Sequence, residues 1–478
     1  MKEFSIAELV KVVKTHPNGS EHAIRDTRYA IRDFNGVSID SRTSKSGDCF
    51  FAIPGENFDG HDFVSDAFAK GAVCAVVSKK LDEEKFADKC LLKVKDTIKA
   101  LGDFAWQYRR EIDFKVVAIT GSVGKTTAKQ IIHHALSQRF RVYQSPRNFN
   151  NKIGVPLTLL GADPQDRIVI AELGSNHPGE IAYLTRIAAP DIAVVTNVHP
   201  SHLEGFGDLQ TIIQEKLSIS DGLWPDGTLI INADFEQLVS ACRAKGIGFV
   251  TFGKSDGSNY QARNVRSDGS TSRFTIDGKE IELPLAGPGN VENALAAWAV
   301  CSRLGLTIDD FARAMKTLPP VSMRAELLQV GTLTVLNDCY NANPASMRNA
   351  LDILAKLDST RRRRLVFICG DMAELGQQTE HLHAELGTSI AQAKVQLLLA
   401  VGKFAKIAAD AAKKSAAYEL QIKCFEDTLS ACNNLHEFIK DYDIILVKGS
   451  RIAKLEAAVE KLKTLREGSR KAGSQTWG

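Results

Sequence analysis

The stretch KVVAITGSVGKTTAKQ, from Lys115 to Gln130, sets two glycines, a lysine and two threonines into the seven residues that follow a short apolar run. Val116 to Ile119 reads as a buried strand, and the residues from Thr126 read as a helix. Glycines between such elements let backbone N–H groups turn toward an anion, and the helix N-terminus adds a partial positive charge at the same point. Lys125 would then reach terminal phosphates, and a threonine hydroxyl could hold Mg²⁺. The general phosphate-loop pattern has four residues between its glycines. Here Gly121 and Gly124 enclose only Ser122 and Val123. A glycine-rich turn without a ligand is the plain alternative, and Lys-Thr-Thr at its helical end tips the reading to phosphate.

Other residues able to share that chemistry stand where neighbouring apolar runs stop. AELGSNHPGEI puts Glu172 at the end of the next strand, where a carboxylate on the rim of a parallel sheet can bind Mg²⁺ that bridges phosphates. Alone it would read as a solvated strand end. TNVHPSHLEGFG ends the following strand with His199, His202 and Glu204. Two loop histidines are more often hydrogen-bonding residues than ligands, and metal binding gains only because three strand ends share one rim. Lys216 reads by pattern alone as a surface lysine on a helix. Farther on, NDCYNANPASM carries Asp338, Tyr340, Asn341 and Asn343, and LVKGSR carries Lys448, Ser450 and Arg451. Together they make a polar, partly cationic rim able to close over a nucleotide.

The elements that must position these residues fall into three α/β units. Residues 1–111 form a small unit: SIAELVKVV is an amphipathic helix capped by Ser5, followed by strand-like runs in GVSIDSRTSKSGDCFFAIPG and GAVCAVVSKK. Residues 112–318 alternate strands (RIVIAELG, DIAVVTNV, TLIINAD) with helices, a mostly parallel sheet. SRFTIDGKEIELPL alternates by two around Asp277-Gly278 and reads as a hairpin. Helices follow from Val291 and near IDDFARAMKTL, and Pro319-Pro320 breaks the chain near a hinge at Leu318 to Val321. Residues 319–478 alternate again through TLTVLND, RLVFICG, VQLLLAVG and DIILVKGS, a doubly wound sheet with its functional loops after the strand ends. RRRR at 361–364 reads as a solvated edge, and the tail from Glu467 as polar and mobile.

The chain has 478 residues, too many for one core. A net charge of +3 gives no pull toward nucleic acid. Nine cysteines without a CxxC pair, an N-terminus without a long apolar core and no run of membrane-helix length fit a reduced, cytoplasmic protein.

On these motifs the chain resembles the Mur ligases, over nearly its whole length. That family's phosphate loop is itself the short form T-G-x-x-G-K-T, which Thr120 to Thr126 match. NFNNKIGVPLTLL, NVHPSHLEGFG and DCYNANPASM are similar to its motifs as well. The resemblance implies a small UDP-sugar-binding unit, a central ATP-binding unit and a Rossmann-like C-terminal unit. It implies ATP-driven amide formation through an acyl phosphate, with ATP and two Mg²⁺ ions, acting as a monomer on UDP-N-acetylmuramoyl-tripeptide and D-alanyl-D-alanine.

Carried over by position, Gly121, Ser122, Val123, Gly124, Lys125, Thr126 and Thr127 resemble the phosphate loop, with Thr126 on Mg²⁺. Glu172 and His202 resemble ligands of a second ion. Lys216 matches a lysine that is carbamylated in siblings. Asn290 and Asn293 resemble adenine-side residues, and Arg324 resembles an arginine that contacts phosphate across the cleft. Asp338 and Asn341 resemble ribose- and nucleotide-facing residues. Ser41 and Arg42 lie in the segment that resembles the UDP-binding part, and Asn148 and Asn151 in that near the muramoyl-peptide. Two positions depart from the family: Gly289 stands where a histidine is usual, and Leu455 where methionine is. A sibling ligase adding the third residue, a folyl-polyglutamate-type ligase and a P-loop ATPase that forms no amide remain as alternatives.

Overall fold

The computed structural model describes residues 2–15, 23–24, 33–82, 84–358 and 362–473. Its first helix, Ile6–Thr15, begins as the sequence predicts. Ser5 Oγ accepts the Glu8 N–H at 3.1 Å while the Glu8 carboxylate accepts the Ser5 N–H at 2.7 Å, a reciprocal cap that satisfies two otherwise unpaired donors. The strands Asp48–Phe51 and Cys74–Val77 are buried at every position and lie parallel at the centre of a small sheet.

The helix Thr97–Glu111 joins this unit to the next. It carries Phe104 and Tyr108 into an apolar core shared with Phe4 and Leu9 on one side and with Val116, Ala118 and Val169 of the middle sheet on the other. Its buried Arg109 donates to Asp191 Oδ2 at 2.8 Å and to the carbonyls of Phe114, Ala188 and Ala189. A buried guanidinium is tolerated only when its donors are used in this way.

Among the described residues the middle sheet has seven parallel strands. Lys115–Thr120 lies between Ile192–Val195 on one side and Ile168–Glu172 on the other. The chain therefore leaves this strand in one direction and later continues in the other. Such a switch point opens a crevice outside the carboxyl ends of the strands, and ligands bind there. SRFTIDGKEIELPL forms the expected hairpin, Ser272–Ile276 against Lys279–Leu283, with Asp277 and Gly278 at φ 50° and 78°. Two consecutive positive values are what a tight primed turn needs.

The third sheet orders its strands Glu326–Val330, Leu333–Asn337, Ile444–Lys448, Leu365–Gly370, Leu397–Val401 and Gln421–Phe425. The first pair is antiparallel and the rest are parallel.

Three sequence-based expectations are corrected here, and a fourth holds. The helix expected from Val291 begins at Pro288, where proline suits the first helical turn. Arg363 and Arg364 are not a solvated edge: Arg364 grips buried Asp443 at 2.7 and 2.9 Å, and Arg363 donates to the Tyr442 carbonyl at 2.6 Å. Arg361 lies outside the described residues. The C-terminal helix runs from Glu456 to Gly473, past the expected start of a mobile tail at Glu467, and residues 474–478 lie outside the described residues. Leu455, as expected, is a core residue, fully buried and packed near Gly370 and Gly449.

Candidate active site

The loop after Thr120 turns through two positions that only glycine fits. Gly121 has φ 146°, and a Cβ there would meet Thr196 Oγ1 at 2.0 Å. Gly124 has φ 84°, and a Cβ there would meet Asn293 Oδ1 at 2.1 Å. Gly124 is also the N-cap of the helix Lys125–Leu136 and offers no side chain to its first turn. The unpaired N–H groups of that turn are thus left for an anion, and the helix dipole favours one. Asn197 holds the loop open from below, accepting the Val123 N–H at 2.9 Å and donating to the Val123 carbonyl at 3.1 Å. Lys125 Nζ donates to the Gly121 carbonyl at 2.7 Å. Burial lowers its pKa, partly opposed by Glu172 and assisted by Arg324.

Glu172 is the buried centre of the cleft floor. Its Oε2 accepts from Thr126 Oγ1 at 3.0 Å and its Oε1 from Asn150 Nδ2 at 3.0 Å. Burial would raise its pKa, but Lys129, Lys125 and Arg324 outweigh that and hold the carboxyl below its ordinary value. Lys129 is a residue that sequence reasoning missed. It lies fully buried one turn after Lys125, 3.5 Å from Glu172, and donates to the carbonyls of Ser145 and Arg147 at 2.9 and 3.1 Å. It thereby ties the phosphate-loop helix to the segment carrying Asn148, Asn150 and Asn151. A second lysine four residues after Lys125, on the same helix face, was the available signal.

Both histidines line the cleft, and their partners differ. The His199 ring packs edge-on against Phe235, with ring centroids 4.9 Å apart, and burial, assisted by Arg348, depresses its pKa to about 4. His202 lines the cleft, and its Nδ1 contacts the carboxylate of Glu374 from the third sheet.

Lys216 corrects its surface reading: it is 2% exposed. Its Nζ donates to Ser175 Oγ at 2.8 Å, behind the cleft wall that Ser175 lines, and lies 5.4 Å from the Phe206 ring centroid. Burial, with Lys125 adding to it, lowers its pKa to about 7.

The third sheet supplies the opposite wall. Arg324 lies over the Tyr340 ring at 4.0 Å. Asp338 accepts the Ala325 N–H at 3.0 Å and pairs with buried Lys448 at 2.5 Å. Lys448 also donates to the Asn341 carbonyl at 3.0 Å, so it fixes both loop residues at once. Asn290 and Asn293 enter from the helix Pro288–Arg303, bonded to each other at 3.3 Å. The Gly289 N–H, at the position of the family's histidine, donates to Asn349 Oδ1 at 3.3 Å.

One cavity of about 1160 Å³ joins these walls. It is lined by Ser122 to Thr127, Asn148, Asn151, Glu172, His202, Asn290, Asn293, Arg324, Asp338 and Asn341. Gly121, the first residue of the loop, is not among the lining residues. Ser41 and Arg42 are not brought to this cavity: Ser41 is buried in its own unit, and Arg42 is exposed and paired with Asp40 at 2.7 Å.

A phosphate loop at the switch point of one parallel sheet, facing a second doubly wound sheet across a shared cleft, defines a nucleotide-binding α/β protein of several units. Three family models match in order: the Mur ligase family catalytic domain over residues 33–109, the Mur ligase middle domain over 119–301 and the Mur ligase glutamate ligase domain over 323–451. The UDP-N-acetylmuramoyl-tripeptide–D-alanyl-D-alanine ligase of Bacillus subtilis (strain 168) is 35% identical over 463 residues, 96% of this chain and 97% of its own length. A crystal structure of MurF from Acinetobacter baumannii matches with a TM-score of 0.86 at 28% identity, over 97% of this chain and 99% of that one. MurF ligase from Thermotoga maritima in complex with ADP matches at 0.80 and 25% identity, over 91% and 98%. The chain belongs to the Mur ligase family.

Proposed function

We propose that the chain joins D-alanyl-D-alanine to UDP-N-acetylmuramoyl-tripeptide at the expense of ATP, giving UDP-N-acetylmuramoyl-pentapeptide for peptidoglycan synthesis. The carrying observation is the single cavity, whose volume of about 1160 Å³ exceeds that of a typical one-ligand pocket. It connects the phosphate loop, the asparagine segment 148–151 and the rim around Asp338.

A tripeptide carboxylate oxygen attacks the γ-phosphorus of ATP, and the bond to ADP breaks. The amine of D-alanyl-D-alanine then attacks the acyl carbon, and the tetrahedral intermediate expels phosphate. Both reactants of the first step are anionic. Lys125 and Arg324 offset that repulsion from opposite walls, without reorganising at the moment of transfer. Asn290, Asn293, Asp338 and Asn341 hold the nucleoside end, and Asn148 and Asn151 face the muramoyl-peptide. Ser41 and Arg42 serve the UDP end within residues 1–111, while 112–318 and 319–478 close on ATP. Closure keeps water from the acyl phosphate.

The donor chemistry fits Mg²⁺ at one position: Thr126 Oγ1 and Glu172 Oε2 are hard oxygens that meet at 3.0 Å on the cleft floor. Bound there, the ion supplies charge stabilisation to the transferring phosphoryl group. Among the described residues no three His, Cys, Asp or Glu side chains group as a ready metal site. A second ion held by Glu172, His202 and Lys216 therefore needs a carbamate on Lys216 to supply the missing anionic oxygen. The lowered pKa of Lys216 supports this, because CO₂ adds to a neutral amine.

Among the described residues no helix is long and apolar enough to cross a membrane. Nine free cysteines support a cytoplasmic location. The test is phosphate release by the purified chain with ATP. Release that requires both UDP-N-acetylmuramoyl-tripeptide and D-alanyl-D-alanine supports the reading, and release independent of the dipeptide overturns it.

A further inference from the structure

The third sheet touches the middle unit through a short loop after Leu365–Gly370. Glu374 in that loop places its carboxylate on Nδ1 of His202. Its backbone carbonyl accepts the N–H of Glu204 at 3.2 Å. Two residues on, Gly376 comes so near the Glu204 Cα that a Cβ would lie 3.3 Å away. The contact joins two left-handed residues, His202 at φ 52° and Glu374 at φ 61°. For a residue other than glycine such backbone is unfavourable. It persists where the surroundings over-determine it, and it clusters at functional sites.

His202 also stands at the N-cap position of the short helix Leu203–Phe206, with no capping bond from its side chain. Leu203 and Phe206 are buried in one apolar cluster with Met372 and Leu375 of the docking loop, and Phe206 is the ring beside Lys216. The apolar cluster seats the loop. Glu374 itself is half exposed, and a polar contact so placed adds little to stability. Docking therefore does not depend on its carboxylate, and the carboxylate is free to serve the imidazole.

We infer that Glu374 is a positioning residue for His202. It keeps the proton on Nδ1, so that Nε2 presents its lone pair on the cleft side, and it does so only while the third unit is docked. The His202 subsite, like the phosphate site with Arg324, is then complete in the closed molecule alone. A sugar-peptide or nucleotide bound to an open cleft would meet an imidazole with no fixed tautomer. Only the kinetic arm of the test below rests on the ligase reading.

The experiment compares the full chain with Glu374→Ala, Glu374→Gln and Glu380→Gln, each saturated with ADP and labelled with ¹⁵N-histidine. Loss of one signal pair in His202→Ala assigns the ring. The wild type is expected to show Nδ1 protonated and Nε2 bare. Glu374→Ala should move the ring toward the opposite tautomer, and Glu374→Gln, whose amide oxygen still accepts, should keep the wild-type pattern. In ligation kinetics Glu374→Ala should lose about tenfold or more in kcat with KM for ATP within about twofold, the scale of losing a ligand's orienting partner. Glu374→Gln should recover most of that loss. Glu380→Gln, exposed on the neighbouring helix, should match wild type in both arms. An unchanged His202 tautomer in Glu374→Ala overturns the inference, as does an unchanged kcat. If the wild type itself forms no amide, the ligase reading fails and the tautomer still decides the role of Glu374.

Discussion

Arg324 and Thr126 stand 198 residues apart in the chain and meet across the cleft, with Nη2 donating to Oγ1 at 3.3 Å. One residue belongs to the third unit and the other to the phosphate-loop helix. The cleft is therefore composite, and a cation from outside the sheet that holds the loop completes its charge.

Arg324→Ala should lower kcat by about 10²–10³, the usual loss for a preorganised charge aimed at the transition state. Arg324→Lys should recover little, because an ammonium has neither the flat face that covers Tyr340 nor the guanidinium fork. Steady-state ligation kinetics check this, and a lysine variant with near wild-type kcat contradicts it.

Lys129→Met should be costly without touching any substrate. It leaves Glu172 short of a cation and two loop carbonyls short of a donor, so a loss of about 3–5 kcal/mol in unfolding free energy is expected from breaking one side of a buried pair. Denaturant unfolding measures it. KM for the tripeptide substrate should rise as well, since the loop around Asn148 loses its tether.

For Lys216 the folded pKa of about 7 lies far below the ordinary 10.5. The folded state sheds this proton first, so between pH 10.5 and 7 stability should fall as pH falls. Over that window the neutral amine that CO₂ needs is present, and it is lost below about 7. Enzyme stripped of CO₂ should regain activity with bicarbonate at pH 8 and much less at pH 6. Lys216→Ala should be largely inactive and partly rescued by acetate or formate, whereas Lys216→Arg should stay inactive. Full activity of the arginine variant rules the carbamate out.

The histidines should behave differently. His202→Ala should lose ligation more than His199→Ala, with partial rescue by excess Mg²⁺. His199 is held near pKa 4 against an ordinary 6.5, so it stays neutral where an unfolded chain would bind a proton. Its contribution to stability should be lost as pH falls from about 6.5 to 4. Acid unfolding of His199→Phe, compared with wild type, should lack that dependence.

The parts legible in the sequence were those written in short-range pattern. The run before the phosphate loop, the Ser5 cap and the Asp277-Gly278 turn each follow from neighbours within a few residues. Edge strands were harder: Gln421–Phe425 is largely exposed and shows little apolar signal. Lys216 and Lys129 were unreadable or misread for one reason. A lysine's burial is decided by what packs over it, here Phe206 and Ser175 in one case and the carbonyls of Ser145 and Arg147 in the other. His202 could be matched to a position, but its partner Glu374 comes from another sheet and leaves no trace in local spacing.

The helix Thr97–Glu111 has a consequence for how the molecule can be divided. Its Phe104 and Tyr108 share one apolar mass with Val116 and Ala118, and Arg109 bolts it to the Asp191 turn. A break at residue 111 would tear that mass open, while a break near 318 would cross far less of it. The first and middle segments thus hold one apolar mass between them. Separating the first unit from the middle one would bare Phe104 and Tyr108 together with Val116 and Ala118, so the two are expected to unfold as one cooperative block rather than as separate domains.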